Sequence, residues 1–304
     1  MRGGTSGLQL EWFGCATFRV RVNGLTLFFD TYLDRPPGVP AVGMTAGEVD
    51  EADFVFISHA HFDHMLGVDT IATATGATVV CSYEVARVLR NNGVPDAQIL
   101  PLSGGEPVDC GRDVRVRAYP SLHSCLFAGA TADSHAECLG DLGVSAQERI
   151  ARVEALFELF PEALPHAAAW FEGATPHCST HDGGQLAYFL ESPDGSLFVN
   201  GSSGYWSGIV ANLRPDAAIL AVTGRPNVDG EPHQGSLAQF LVQQVELLRP
   251  SKVVLCHHDA LLPPITPPVD TGEALARLAR DASYARHVEL TYANAVDLLR
   301  APRR

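Results

Sequence analysis

Positive charge is scarce in this chain. Its 21 Lys and Arg stand against 35 Asp and Glu, a formal net charge of −14. A surface of that sign repels nucleic acid, whose binders draw their affinity from clustered Lys and Arg, and no stretch interleaves aromatics with basic residues as single-strand binders do. A small anionic substrate stays allowed, because bound cations can dominate a local field. Long apolar runs are missing as well. None reaches the roughly 20 residues of a membrane span, and the opening Met1-Arg2-Gly3-Gly4-Thr5-Ser6-Gly7 lacks the apolar core of a signal peptide. The seven Cys, Cys15, Cys81, Cys110, Cys125, Cys138, Cys178 and Cys256, contain no Cys-x-x-Cys pair. An odd, scattered set predicts free thiols in a reducing compartment, so a cytoplasmic location is the expectation. Absent too are a Ser-His-Asp elbow, a phosphate-cradling loop and a dinucleotide fingerprint.

What the chain does have is histidine in one place. Among 12 His in 304 residues, three fall with an Asp inside His59-Ala60-His61-Phe62-Asp63-His64, directly after Asp53-Phe54-Val55-Phe56-Ile57, which reads as a buried strand. Side chains two apart in an extended segment point to one side, so His59 and His61 can approach one ion together. Asp63 and His64 leave a tightening turn in another direction and can serve a second ion. Imidazole and carboxylate donors suit Zn²⁺, with manganese or iron as alternatives. Ligands from distant parts of the chain must complete the coordination.

This motif resembles the His-x-His-x-Asp-His signature of the metallo-β-lactamase superfamily of metal-dependent hydrolases. The opening Leu10-Glu11-Trp12-Phe13-Gly14-Cys15-Ala16-Thr17-Phe18, followed by Leu27-Phe28-Phe29-Asp30-Thr31, is similar to that family's first strands, especially in its lactonase-like branch. The resemblance implies an αββα sandwich, within an α/β class, carrying one or two zinc ions at one edge of its sheets. It implies His123, just past the strand at 114–118, as third ligand of the first ion with His59 and His61. His257 is implied as last ligand of the second with Asp63 and His64, with its neighbour His258 as the off-by-one alternative. Where the family's bridging Asp would stand, Phe198-Val199-Asn200-Gly201-Ser202 offers Ser202. A hydroxyl offsets two dications poorly, so the second site is weak or empty, or a carboxylate such as Asp182 reaches in, or a hydroxide bridges alone.

The rest of the chain alternates strands and helices, as an α/β protein does. Asn23-Gly24 and Pro193-Asp194-Gly195 mark hairpins, and Pro36-Pro37-Gly38-Val39-Pro40 marks an irregular loop. Helices are expected over 67–73, 83–91, 233–248, 272–282 and 294–299, and a strand over 288–291. Residues 133–175 break the strand rhythm. There, Ser145-Ala146-Gln147-Glu148 carries capping-box spacing and opens a helix that Pro161 should end, with a second helical piece over 166–171. Within one domain spanning 1–304, this insertion is expected to cap the active-site mouth or to pair two copies into a homo-oligomer. His181, Asp182, Ser202, His258 and Asp259 are candidates to touch substrate or to hold a ligand from behind. Trp170, Phe171, Tyr205 and Trp206 are candidates to line the pocket.

The chemistry that follows is hydrolysis. An ion held by three His keeps a position for water and lowers its pKa to about 7. Asp63 would orient the resulting hydroxide and carry a proton to the leaving group. The expected substrate is a small ester, lactone, amide or phosphoester, with lactones and esters favoured and a phosphodiester as the further option. The competing expectation is a metal-binding protein that has lost efficient hydrolysis and binds or senses a ligand, with Ser202 as the mark of that loss.

Overall fold

The structure is a computed structural model that describes residues 7–125, 145–263 and 265–300. Six strands open the chain: β1 (Leu8–Trp12), β2 (Phe18–Val22), β3 (Leu25–Phe29), β4 (Phe54–Phe56), β5 (Thr78–Cys81) and β6 (Ile99–Pro101). Seven more follow as β7 (Pro107–Gly111), β8 (Val114–Pro120), β9 (Leu186–Ser192), β10 (Gly195–Asn200), β11 (Ala217–Ala221), β12 (Lys252–Cys256) and β13 (Arg286–His287). Strand β14 (Val296–Leu299) ends the series. They form two seven-stranded sheets, in the orders β14-β1-β2-β3-β4-β5-β6 and β13-β12-β11-β10-β9-β8-β7.

The alternation of side chains along the strands dictates what lies on each face. Leu27, Phe29, Phe56 and Val80 of the first sheet meet Val116, Tyr188, Val199, Ile219 and Val254 of the second in the core between them. Their neighbours Phe28, Val55, Val79 and Cys81 turn outward under helices α1 (Phe62–Met65), α2 (Val68–Thr75) and α3 (Tyr83–Asn91). Helices α4 (Ala146–Ala163), α5 (Ala168–Ala174) and α6 (Ser207–Val210) come next in the chain. Ala218, Leu220, Val253 and Leu255 turn the other way, under α7 (Leu237–Leu248) and α8 (Gly272–Asp281). The layering is therefore helix, sheet, sheet, helix, the expected αββα order. Ser236 caps α7 in a reciprocal box with Gln239, which satisfies two of the helix's orphan amides.

Three expectations need correction. Residues 294–299 hold no helix: Val296–Leu299 is an edge strand, antiparallel to β1, with Leu10 facing Val296. Pairing with a strand almost the whole chain away overrides a short apolar run whose periodicity is ambiguous. Residues 288–291 carry no strand, since regular pairing to β12 stops at His287. Helix α4 is not ended by Pro161, because it runs on to Ala163; one missing amide so near its end does not break it. The first part of the expected insertion, 133–144, lies outside the described residues.

Candidate metal centre

Five chain segments converge where strands leave the sheets. The run after β4 carries Ser58, His59 and His61; the turn after β3 carries Asp30; and His123, Ser202 and His257 follow β8, β10 and β12. Strands β10, β11 and β12 are parallel, and β8 points the same way because two antiparallel steps, through β9, separate it from β10. All these ends therefore open on one edge of the sandwich. The two sheets are stitched there: Leu186 N–H donates to Ser58 O at 2.8 Å, Ala60 N–H to Asp182 O at 3.0 Å and Ser179 N–H to Ala60 O at 2.8 Å. Gly201 is required at this crossing, since a Cβ would lie 2.8 Å from Asp30 Oδ2 and 3.1 Å from Ala16 Cβ.

The donors fall into two sets. In the first, His59 Nε2 lies 3.2 Å from His61 Nδ1, and His123 closes the group, its ring centroid 4.9 Å from that of His59 and 4.7 Å from that of His61. His123 Nδ1 is 2.9 Å from Ser124 O, and His59 Nδ1 is 3.0 Å from Ser58 Oγ. His123 and His59 thereby turn Nε2 inward, while His61 presents Nδ1. In the second set, Asp63 Oδ2 lies 3.2 Å from His257 Nε2 and 3.4 Å from His64 Nε2, and those two nitrogens are 3.2 Å apart. The sets adjoin, with the rings of His59 and His64 3.9 Å apart. His59, His61, Asp63, His64 and His257 are all buried.

Burial and neighbouring charge shape the protonation of these groups. Burial lowers His59, and the nearby His64, His61 and His123 push it further down. His61 falls to about 3 through burial and His123. His64 goes the other way. Burial opposes its charge, but Asp63 and Asp30 outweigh that and carry it to about 10. Burial would raise Asp63, yet His64 and His257 hold it well below the usual carboxylate range.

Asp30, which the sequence reading did not single out, anchors the second set. Its carboxylate accepts from Ser58 N–H at 2.6 Å, Ser58 O–H at 2.8 Å and His64 Nδ1–H at 2.7 Å. A carboxylate behind a ligating His fixes its ring and raises its basicity. The available signal was an Asp ending a strand parallel to the one that carries the motif. Asp30 (φ 50°), Cys15 (φ 46°) and His257 (φ 60°) all adopt left-handed backbone. Such strain in non-glycine residues persists where surrounding structure over-determines it.

The remaining candidates separate. Asp182 is half-buried, and its charge raises the proton affinity of both His61 and His123, which places it beside the first set. His181 points outward, 3.9 Å from Glu154 Oε1. Ser202 is buried, and its hydroxyl accepts from Ser124 N–H at 3.3 Å. His257, rather than His258, faces Asp63; His258 stacks on Trp12 at 5.1 Å and 18°. Asp259 binds Arg35 Nη2 at 2.9 Å and accepts from Tyr292 O–H at 2.7 Å and Cys15 N–H at 2.9 Å. Of the four aromatic candidates, Phe171 lines a cleft of ≈690 Å³ that opens beside Phe62 and is walled by Glu154, Glu158 and His181. Trp170 supports it from behind, its ring 6.0 Å from that of Phe62, and Trp206 is exposed. Tyr205 is core, stacked on Phe240 at 5.4 Å.

Chemistry and spacing fit metal. Tetrahedral coordination at bond lengths of about 2.0–2.1 Å sets nitrogen and oxygen donors about 3.3 Å apart, and separations of 3.2–3.4 Å recur in both sets. The chain has the metallo-β-lactamase fold. A family profile described as β-lactamase superfamily domain matches residues 26–148. A UPF0173 metal-dependent hydrolase of Pyrobaculum neutrophilum is 28% identical over 172 residues, 55% of this chain and 75% of that protein. Its counterpart in Pyrobaculum arsenaticum is 34% identical over 119 residues, 38% of this chain and 51% of that protein. The chain thus aligns with only about half the length of the latter. Igni18, a metallo hydrolase from Ignicoccus hospitalis, shares the superfamily fold with a TM-score of 0.61 at 18% identity, covering 96% of this chain and 98% of that one. Among the described residues, no helix is long and apolar enough to cross a membrane.

Proposed function

We propose that this chain is a member of the metallo-β-lactamase superfamily and a metal-dependent hydrolase of a small ester, lactone, amide or phosphoester. The observation that carries the reading is the pairing of two adjoining donor sets, His59, His61 and His123 beside Asp63, His64 and His257, with ligand-like spacing inside each. These residues would hold one or two zinc ions, with manganese or iron as alternatives. Metal bound there supplies an acidified water and polarises the scissile carbonyl or phosphoryl oxygen.

The chain's own residues do the rest. Asp63, kept ionised within the second set, would orient the attacking water and carry a proton to the leaving group. Asp30 and Ser58 hold His64 and His59 in register. We assign 145–175, the described part of the insertion, as the cap of a single domain, because helices α4 and α5 contribute Glu154, Glu158 and Phe171 to the cleft beside Phe62. That wall carries groups of both signs, with Arg87 and His181 beside the two carboxylates. The superfamily's lactonase-like branch, which the opening strands resemble, tilts the choice toward a lactone or ester. The relatives' names as metal-dependent hydrolases support the reaction class.

The test is metal analysis of the purified protein followed by chromogenic esters, lactones and bis(4-nitrophenyl) phosphate, with and without added Zn²⁺ or Mn²⁺. Metal-dependent turnover that His61→Ala abolishes supports the hydrolase. Bound metal without turnover on any of them favours the second reading, a ligand-binding or sensing protein. The observation on that side is Ser202, whose neutral hydroxyl is taken up by Ser124 N–H.

A further inference from the structure

The second donor set contains one member with no assigned role. Cys15 Sγ lies 3.8 Å from Asp63 Oδ2, and the donor atoms of Cys15, Asp63, His64 and His257 all fall within 4.8 Å of one another. We propose that Cys15 is the fourth ligand of the second metal ion, making that half of the centre a Cys-Asp-His-His zinc site; this rests on the metal-centre reading above.

Geometry is the first support. Around a tetrahedral zinc a sulfur donor sits about 3.6 Å from nitrogen or oxygen donors, given bonds of about 2.3 and 2.0–2.1 Å. The 3.8 Å separation of Cys15 Sγ and Asp63 Oδ2 matches that edge, as the 3.2 and 3.4 Å separations match the shorter ones. Positioning is the second. Cys15 O accepts from His257 N–H at 2.9 Å and from Trp12 Nε1–H at 3.0 Å, while Cys15 N–H donates to Asp259 at 2.9 Å. The turn is thus clamped by the segment that presents His257. Gly14 completes the clamp, since a Cβ there would lie 2.1 Å from Arg35 Nη2. Cys256, beside His257 in the chain, faces the inter-sheet core instead, so Cys15 is the thiol delivered to these donors.

Charge is the third support. An ion bound by Asp63 and two neutral imidazoles has one anionic ligand. A thiolate at Cys15 adds a second, and soft sulfur suits zinc. Coordination breaks the S–H bond, forms a metal–sulfur bond and releases the proton to solvent, with no change of oxidation state.

X-ray absorption on the zinc-loaded full chain should show a sulfur scatterer at about 2.3 Å, and the cobalt-substituted protein a thiolate-to-metal charge-transfer band. Cys15→Ser should remove both signals and weaken the second zinc equivalent by about a hundredfold or more, leaving the first in place. Cys15→Asp should recover the second equivalent to within about tenfold without the sulfur signal, which also shows that a substituted turn folds. Cys110→Ser, at the far edge of the second sheet, should keep the signal. Two bound equivalents with no sulfur scatterer, or a scatterer that survives in Cys15→Ser, would overturn the proposal and leave Cys15 as a hydrogen-bond donor to Asp63. A protein that takes up no zinc at all would overturn the metal-centre reading with it.

Discussion

The two halves of the site use similar side chains and differ in electrical design. The His59, His61 and His123 half is held by main-chain and hydroxyl oxygens, and burial and mutual repulsion keep its imidazoles neutral. The other half is salt-like. Asp63 and Asp30 flank His64 and drive it to about 10. A neutral cluster offers its lone pairs at once, whereas an ion-paired one must surrender protons to bind a cation. Side-chain identity alone does not reveal this. What surrounds each imidazole does: Ser58 and Ser124 on one side, two carboxylates on the other.

The sharpest test of this division is His61→Ala. It should remove one zinc equivalent and cut kcat/KM by about a thousandfold or more on any substrate the native protein hydrolyses, since the site loses a ligand outright. Metal content and steady-state rates check it, and unchanged turnover would show that the first half is not the reacting half. Next in size is Asp259→Asn. The Arg35–Asp259 pair is buried, with side chains 3% and 7% exposed, so an uncompensated guanidinium should cost about 3–5 kcal/mol of stability. Urea unfolding of the metal-free protein measures this, and a loss under about 1 kcal/mol would mean that Arg35 finds another partner.

Asp30→Asn probes one half alone. It should weaken the second zinc equivalent by about 10–100-fold and leave the first nearly unchanged, as read by competition with a chromophoric chelator. Equal weakening of both would merge the halves into one cooperative unit. The smallest effect is that of pH. Zinc affinity of the first half should stay nearly flat between about pH 6 and 8, because its imidazoles are already deprotonated. The second should gain about tenfold per pH unit for each proton displaced, because protons on His64 and Cys15, both raised above their ordinary values, compete with the metal until they are removed. Affinities that track each other with pH would contradict the division.

Much of this was legible in the sequence because it is local. Residues 53–64 place a buried strand, two same-side histidines and a turn within one short segment, and His123 and His257 stand just past recognisable strands. Asp30, Cys15 and Asp259 were not legible as a group. They meet through left-handed turns at Cys15 and Asp30 and through hydrogen bonds across as many as 244 positions, which no spacing rule encodes. Ala295-Val296-Asp297-Leu298-Leu299 suits either a helix or a strand by pattern, and only the open edge of β1 decides. Helix α4 shows the converse limit, where a proline near an end is a weaker stop than its interior behaviour suggests.

That edge has a consequence for assembly during synthesis. Leu8 pairs with Leu299, and His257 grips the turn that follows β1, so the second donor set cannot form before His257 has left the ribosome, nor the outer rim of the first sheet before Leu299 has. Contacts between such remote positions form late, after most loop entropy is already lost. The His59 motif emerges long before its partners, and a nascent chain would hold it open to stray cations while it waits.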